Sequence, residues 1–140
     1  ERFVNLNFTD KAFLPLNGLP FVHGAANRLL FIFDTLNKLK SCYGSKGKRT
    51  PEGHEIYQKF VTGKKGAGGR GAIFSDSSDG EKNTFRDKLT FSHPDKKMEK
   101  LFCPWHGKVQ TPQLRVHFTW PIRTDEPLYI VYIGPKLTKN

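Results

Sequence analysis

Between Leu114 and Trp120 the side chains alternate without a break. Leu114, Val116, Phe118 and Trp120 fall on one side, and Arg115, His117 and Thr119 on the other. A strand with one buried and one wet face requires this, because successive Cβ atoms point to opposite sides of a sheet. Pro121 ends the run, and Arg123–Glu126 is polar enough for a loop. Leu128–Ile133 (LYIVYI) is then apolar or aromatic at every position, as suits a strand covered on both faces. Gly134 and Pro135 close it, and the two runs together predict an antiparallel hairpin with a longer loop. Exposing Leu114, Val116, Phe118 and Trp120 would forfeit roughly 1.5–3 kcal/mol each. The pleat should therefore turn Arg115 and His117 outward, onto an open face where they are the leading site candidates.

The rest of the chain reads as helices first and strands later, hence an α+β domain. The expected architecture is an N-terminal arm and two helices packed on a small antiparallel sheet formed mainly by residues 72–134. Val4, Leu6 and Phe8 alternate with Asn5, Asn7 and Thr9, predicting a short strand at a sheet edge. Phe13–Pro20 holds two prolines and a glycine among apolar residues, which predicts an irregular arm buried across the core. Gly24–Lys40 carries Leu29, Ile32, Phe33, Leu36 and Leu39 at helical spacing, with Lys38 and Lys40 placed to complement the dipole. Thr50-Pro51-Glu52 has the chemistry of a helix start, and that helix should run to about Thr62. Residues 63–83 read as a flexible glycine-rich basic insert, with Asp76–Gly80 as a turn or mobile loop. Phe85–Phe91 alternates again and predicts a strand, and Leu101-Phe102 opens the final β region.

At 140 residues the chain can bury a core as one domain without disulfides or metals. It opens on Glu1 and not Met, so a piece of a longer protein is expected. The longest apolar run is Leu128–Ile133, far short of a membrane span, and nothing resembles a signal peptide. One pair of cysteines, Cys42 and Cys103, is no disulfide scaffold, and a cytoplasmic protein is expected. The net charge of +10 is concentrated: Lys38–Arg70 holds nine Lys or Arg against Glu52 and Glu55. Such a patch attracts a polyanion, most often nucleic acid, by neutralising phosphates and releasing counterions.

Several motifs fail on context. Gly66-Ala-Gly-Gly-Arg-Gly71 matches G-x-G-x-x-G, but a dinucleotide site needs a strand before it and a helix after it, and the predicted order is the reverse. Cys103-Pro-Trp-His106 resembles one ligand pair of a Rieske cluster. The earlier Cys-x-His pair is missing, because Cys42 is followed by Tyr43 and Gly44. A zinc site would need three separate segments to converge. A buried Cys103 and Trp105 at the start of a strand, with His106 making a turn hydrogen bond, is the simpler expectation. Arg49 and His54 have the R-x4-H spacing that resembles the motif of helical HEPN ribonucleases, yet Pro51 and Gly53 lie inside it. A capped helix start with a solvated His54 fits better. No metal and no cofactor is expected.

The hairpin carries the sharpest resemblance. Gln113-Leu-Arg-Val-His-Phe118, a polar turn, and Leu128–Lys136 resemble the terminal strands of the RelE/ParE toxin family. Members are small basic proteins with helices ahead of an antiparallel sheet, and many cleave mRNA at the ribosome. The resemblance implies that Arg115 matches the arginine of the penultimate strand and Lys136 the basic residue after the last strand. A histidine commonly follows the glycine in that family, where this chain has Pro135.

The expected function is a basic nucleic-acid-binding domain, RNA ahead of DNA, with metal-free RNA cleavage of toxin type as its catalytic form. The ribose 2′-OH would attack, with His117 or His106 as general base or acid. Arg115 and Lys136 would stabilise charge developing on phosphorus. Lys46, Lys48, Arg49, Lys64, Lys65, Arg70 and Lys88 would position the strand. The alternative is a non-enzymatic interaction domain of a larger protein, docking its other domains. No membrane partner is expected.

Overall fold

The computed structural model describes residues 2–20, 22–44, 47–63, 72–110 and 112–139. Seven strands and three α-helices occur among them: β1 (Leu6–Phe8), α1 (His23–Ser41), α2 (Pro51–Phe60), β2 (Phe74–Ser75), α3 (Asp79–Thr84), β3 (Thr90–Ser92), β4 (Lys100–Phe102), β5 (His106–Val109), β6 (Leu114–Phe118) and β7 (Leu128–Pro135). The α+β expectation holds. The main sheet has five strands in the order β1-β7-β6-β5-β2, and β3 and β4 form a separate antiparallel pair.

Hydrophobic spacing places α1 as expected. Ile32, Phe33, Leu36 and Leu39 are buried and join Val116, Phe118, Ile130 and Ile133 in the main core. Each such side chain removed from water contributes roughly 1.5–3 kcal/mol. The helix approaches β5 closely at Gly107, where a Cβ would stand 3.0 Å from Phe74 and 3.2 Å from Ile32. Thr50 caps α2 by accepting a hydrogen bond from the Gly53 amide at 3.1 Å, and Pro51 occupies the first turn. Lys38 of α1 reaches Glu52 of α2 at 3.1 Å.

Four expectations need correction. The sheet is mixed and not purely antiparallel: β1 takes the predicted edge but runs parallel to β7, Leu6 opposite Leu128 and Phe8 opposite Ile130. Alternation marks a strand without fixing its partner's direction. The Phe13–Pro20 arm is not buried, since Phe13, Leu14 and Leu19 are 47%, 54% and 41% exposed. It holds a 3-10 turn at Leu14–Leu16 beside β7, and the Ile133 amide donates to Ala12 O. Asp76–Gly80 is not a simple loop: Ser78 and Glu81 form a reciprocal capping box, each side chain accepting from the other's backbone amide, and so start α3. Phe85–Leu89 is turned, and the predicted strand shrinks to Thr90–Ser92. Residues 64–71 lie outside the described residues.

One irregularity matters to the site. His117 pairs with Tyr132 but Phe118 pairs with Ile130, so Val131 is an extra residue in β7. This bulge lets Val131 join Tyr129 and Cys103 in a second small core beside Phe91, Leu101 and Tyr132. The β3–β4 pair thereby covers the sheet face that α1 leaves.

Candidate functional site

Strand pairing fixes two rows of side chains on that second face. Ser75, His106, His117 and Tyr132 stand opposite one another across β2, β5, β6 and β7. Lys108, Arg115 and Gly134 make the neighbouring row. The His106 and His117 rings lie 5.2 Å apart, and the His117 and Tyr132 rings 5.7 Å apart. Just beyond β7, Lys136 approaches Glu81 at 3.8 Å, so α3 and the chain end close the cluster from one side.

The predicted orientation is right, but the predicted exposure is wrong. Leu114, Val116 and Phe118 do face the helices, and Arg115 and His117 the other way. That other face is covered as well, leaving His117 2% and Arg115 8% exposed. Alternation reports that one face is apolar. It does not report that the other is wet.

Each buried polar group has a definite arrangement. His117 Nδ1 lies 2.8 Å from Cys103 O, and His106 Nδ1 lies 3.1 Å from Pro104 O. Carbonyl oxygens only accept, so both imidazoles carry the proton on Nδ1 and keep the Nε2 lone pair. Ser75 Oγ stands 3.4 Å from His106 Nε2. Burial drives the His117 pKa down to about 4, opposed by the Cys103 carbonyl and reinforced by His106 and Arg115. His106 is lowered for the same first reason, with Arg115 and Lys108 adding to it. Burial also lowers Arg115, which Glu81 partly offsets. Glu81 is held below the usual carboxylate range first by the Ser78 amide and also by Lys136.

Arg115 is the unusual member. Among the described residues its guanidinium makes one hydrogen bond, from Nη1 to Leu114 O at 3.0 Å, and no ion pair. Five donors with one protein acceptor, the unbonded nitrogens reaching solvent, form a ready seat for an anion.

No family model, curated protein or solved structure matches the chain. Geometry alone must therefore rank the residues.

The sequence-predicted residues divide into four groups. Arg115, His117, His106 and Lys136 converge on the second face. Lys48 and Arg49 lie apart, at the start of α2, where Arg49 sits 4.0 Å over the Tyr57 ring. Together with His54, which is exposed, they line a cleft of about 420 Å³. Lys88 is exposed, its Nζ donating to Lys139 O at 3.3 Å. Lys46, Lys64, Lys65 and Arg70 lie outside the described residues. Glu81 and Lys108 belong to the site but escaped sequence reasoning. The Ser78-x-x-Glu81 spacing would have placed the first. The second follows only from its register opposite Arg115.

Cys103 is fully buried and its thiol is pushed up to about 12, which leaves it inert as a nucleophile. Among the described residues no group of three or more His, Cys, Asp or Glu is placed to hold a metal. No helix among them is long and apolar enough to cross a membrane.

Proposed function

We propose that the chain is a basic nucleic-acid-binding domain in which Arg115, framed by Lys108, Lys136 and His106, takes a phosphate of the bound strand. The supporting observation is Arg115 itself, 8% exposed with a single hydrogen bond to a neighbouring carbonyl. A guanidinium partly withdrawn from water, with its unbonded nitrogens still reaching solvent, gains from an anion that compensates it, and a phosphate matches its fork with two parallel bonds. Lys108 and Lys136 at the rim add attraction that is longer in range and weaker in geometry. The sequence resemblance of the hairpin to RelE/ParE strands supports RNA ahead of DNA, and a cytoplasmic site of action goes with that reading.

Burial of His117 favours binding over turnover, because its Nδ1 is already committed and its ring is sealed in. Metal-free RNA cleavage is the second proposal, and one observation favours it. His106 keeps its Nε2 lone pair, facing the Ser75 hydroxyl one row from Arg115, so it can take a proton against the lowering of its pKa by burial while the guanidinium neutralises the phosphate.

Labelled single-stranded RNA titrated with the full chain at several salt concentrations tests the first proposal. Affinity should fall with salt, each phosphate contact contributing a log–log slope of about 0.7. Lys136→Ala should weaken binding and lower that slope by about one contact. Arg115→Lys, which keeps charge but loses the fork, should weaken binding with the circular dichroism spectrum retained. A flat salt response, or no binding at low salt, overturns the proposal. RNA incubated in EDTA decides the second: intact RNA leaves binding alone, and cleavage that vanishes in His106→Ala assigns the proton transfer to that ring.

A further inference from the structure

Most ring pairs in the core meet edge-on, as Phe74 and Phe118 do at 87° and Phe8 and Phe33 at 86°. Where the start of β5 and the end of β6 meet α2, the pattern changes. Tyr57 and Trp120 are nearly parallel, 13° apart in plane with centroids 6.4 Å apart. Trp120 and Trp105 follow at 5.0 Å and 31°. The Arg49 guanidinium extends the series over Tyr57. All four side chains are half-buried, rooted on the core but reaching water.

We infer that this Arg49–Tyr57–Trp120–Trp105 ladder is a stacking site for the unpaired bases of a single-stranded nucleic acid. The inference rests on the proposed function for the identity of the occupant and adds the form in which it binds. Near-parallel rings such as Tyr57 and Trp120, with Trp105 tilted beside them, accept one more flat π-system as another plane, while Trp120 meets the core edge-on through Phe118 at 79°. The charge around it is complementary to a backbone. Lys48 and Arg49 line the adjoining cleft, and the nearby Glu52 is already met by Lys38. Arg49 Nε is buried with no hydrogen-bond partner, a donor left over within the stack. No acceptor fixes that buried edge, and the guanidinium plane over Tyr57 gives a base a further surface to lie on. Duplex nucleic acid hides its base faces, so this site selects single strands.

The two tryptophans of the ladder are the only ones in the chain, so tryptophan fluorescence, excited where tyrosine does not absorb, reports on this site alone. The full chain is titrated with oligouridylate, oligothymidylate, a duplex of equal length, and heparin as a polyanion without bases. Both single strands should quench the emission saturably, while duplex and heparin bind without quenching; the tighter of the two single strands tells RNA from DNA. Trp120→Leu should weaken single-strand binding roughly 5- to 150-fold, as loss of one stacked base does, and leave heparin binding unchanged. Trp120→Phe, which keeps a ring, should restore most of the affinity. Tyr57→Leu, on the helix, should act like Trp120→Leu and serves if the latter fails to fold. Single strands that bind without quenching, a duplex that quenches equally, or equal loss of heparin and single-strand binding in Tyr57→Leu each overturn the ladder while leaving the proposed function standing. No binding by any of the four probes overturns both.

Discussion

The two faces of the five-stranded sheet are equally buried but held in opposite ways. The helix-side face is filled by Val116, Phe118, Ile130 and Ile133 against Ile32, Leu36 and Leu39, groups that require only shape. The other face buries Arg115, His106 and His117 beneath a thin cover of β3, β4 and Cys103. There the polar groups require particular partners: backbone carbonyls for His106 Nδ1, His117 Nδ1 and Arg115 Nη1, and the Ser75 hydroxyl facing His106 Nε2. An apolar face tolerates changes that keep its volume and is indifferent to pH. A buried polar face responds to protons and anions, and for that reason the proposed binding chemistry is assigned to it.

The contrast breaks most visibly at Phe118. Truncation to alanine opens a cavity on the helix side and should cost roughly 3–5 kcal/mol. Denaturant unfolding should show the same loss at acid and neutral pH. On the polar face the loss should instead be produced by protons. His117 is neutral in the fold with a pKa near 4, against 6.5 for a free imidazole. The unfolded chain therefore binds the proton first. Stability is fully present above pH 6.5 and is lost as pH falls from 6.5 toward 4, by roughly 3 kcal/mol at 1.36 kcal/mol per unit. His106, shifted the same way, adds to the same limb. His117→Gln keeps a donor for Cys103 O and should flatten it; an unchanged acid limb in that variant would place the sensitivity elsewhere.

A smaller effect is expected where the cover is anchored. Ser78→Ala removes one half of the capping box that starts α3 and should cost about 1 kcal/mol in thermal unfolding. Smallest of all is Lys136→Ala at the rim. Its 3.8 Å contact with Glu81 is a partly exposed pair, so stability should move by within about 0.5 kcal/mol even as binding weakens. A large stability loss there would make Lys136 structural and remove it from the rim.

What the sequence disclosed follows from range. α1, α2, β6 and β7 were legible because period 3.6, period 2 and the Thr50-Pro51 start are local signals. The facing of Arg115 and His117 was legible for the same reason, and so was the hydrogen bond of His106 in its turn. The cover over them was not, because it depends on Phe91 and Leu101 meeting Tyr129 and Val131, contacts that no local pattern encodes. The parallel direction of β1 is likewise a long-range fact. Glu81 lay hidden for a different reason: Ser77, Ser78, Asp79 and Gly80 have the composition of a turn, and only the spacing from Ser78 to Glu81 betrays a helix start.

The bulge in β7 has a consequence for how the chain can change length. Elsewhere in a strand, gaining or losing one residue turns every following side chain to the wrong side. At Val131 a loss does not, because that residue is already supernumerary: His117 keeps Tyr132 and Phe118 keeps Ile130 whether it is present or absent. Deletion of one residue of β7 should therefore be tolerated at this one point, where only the small core around Cys103 would register the change.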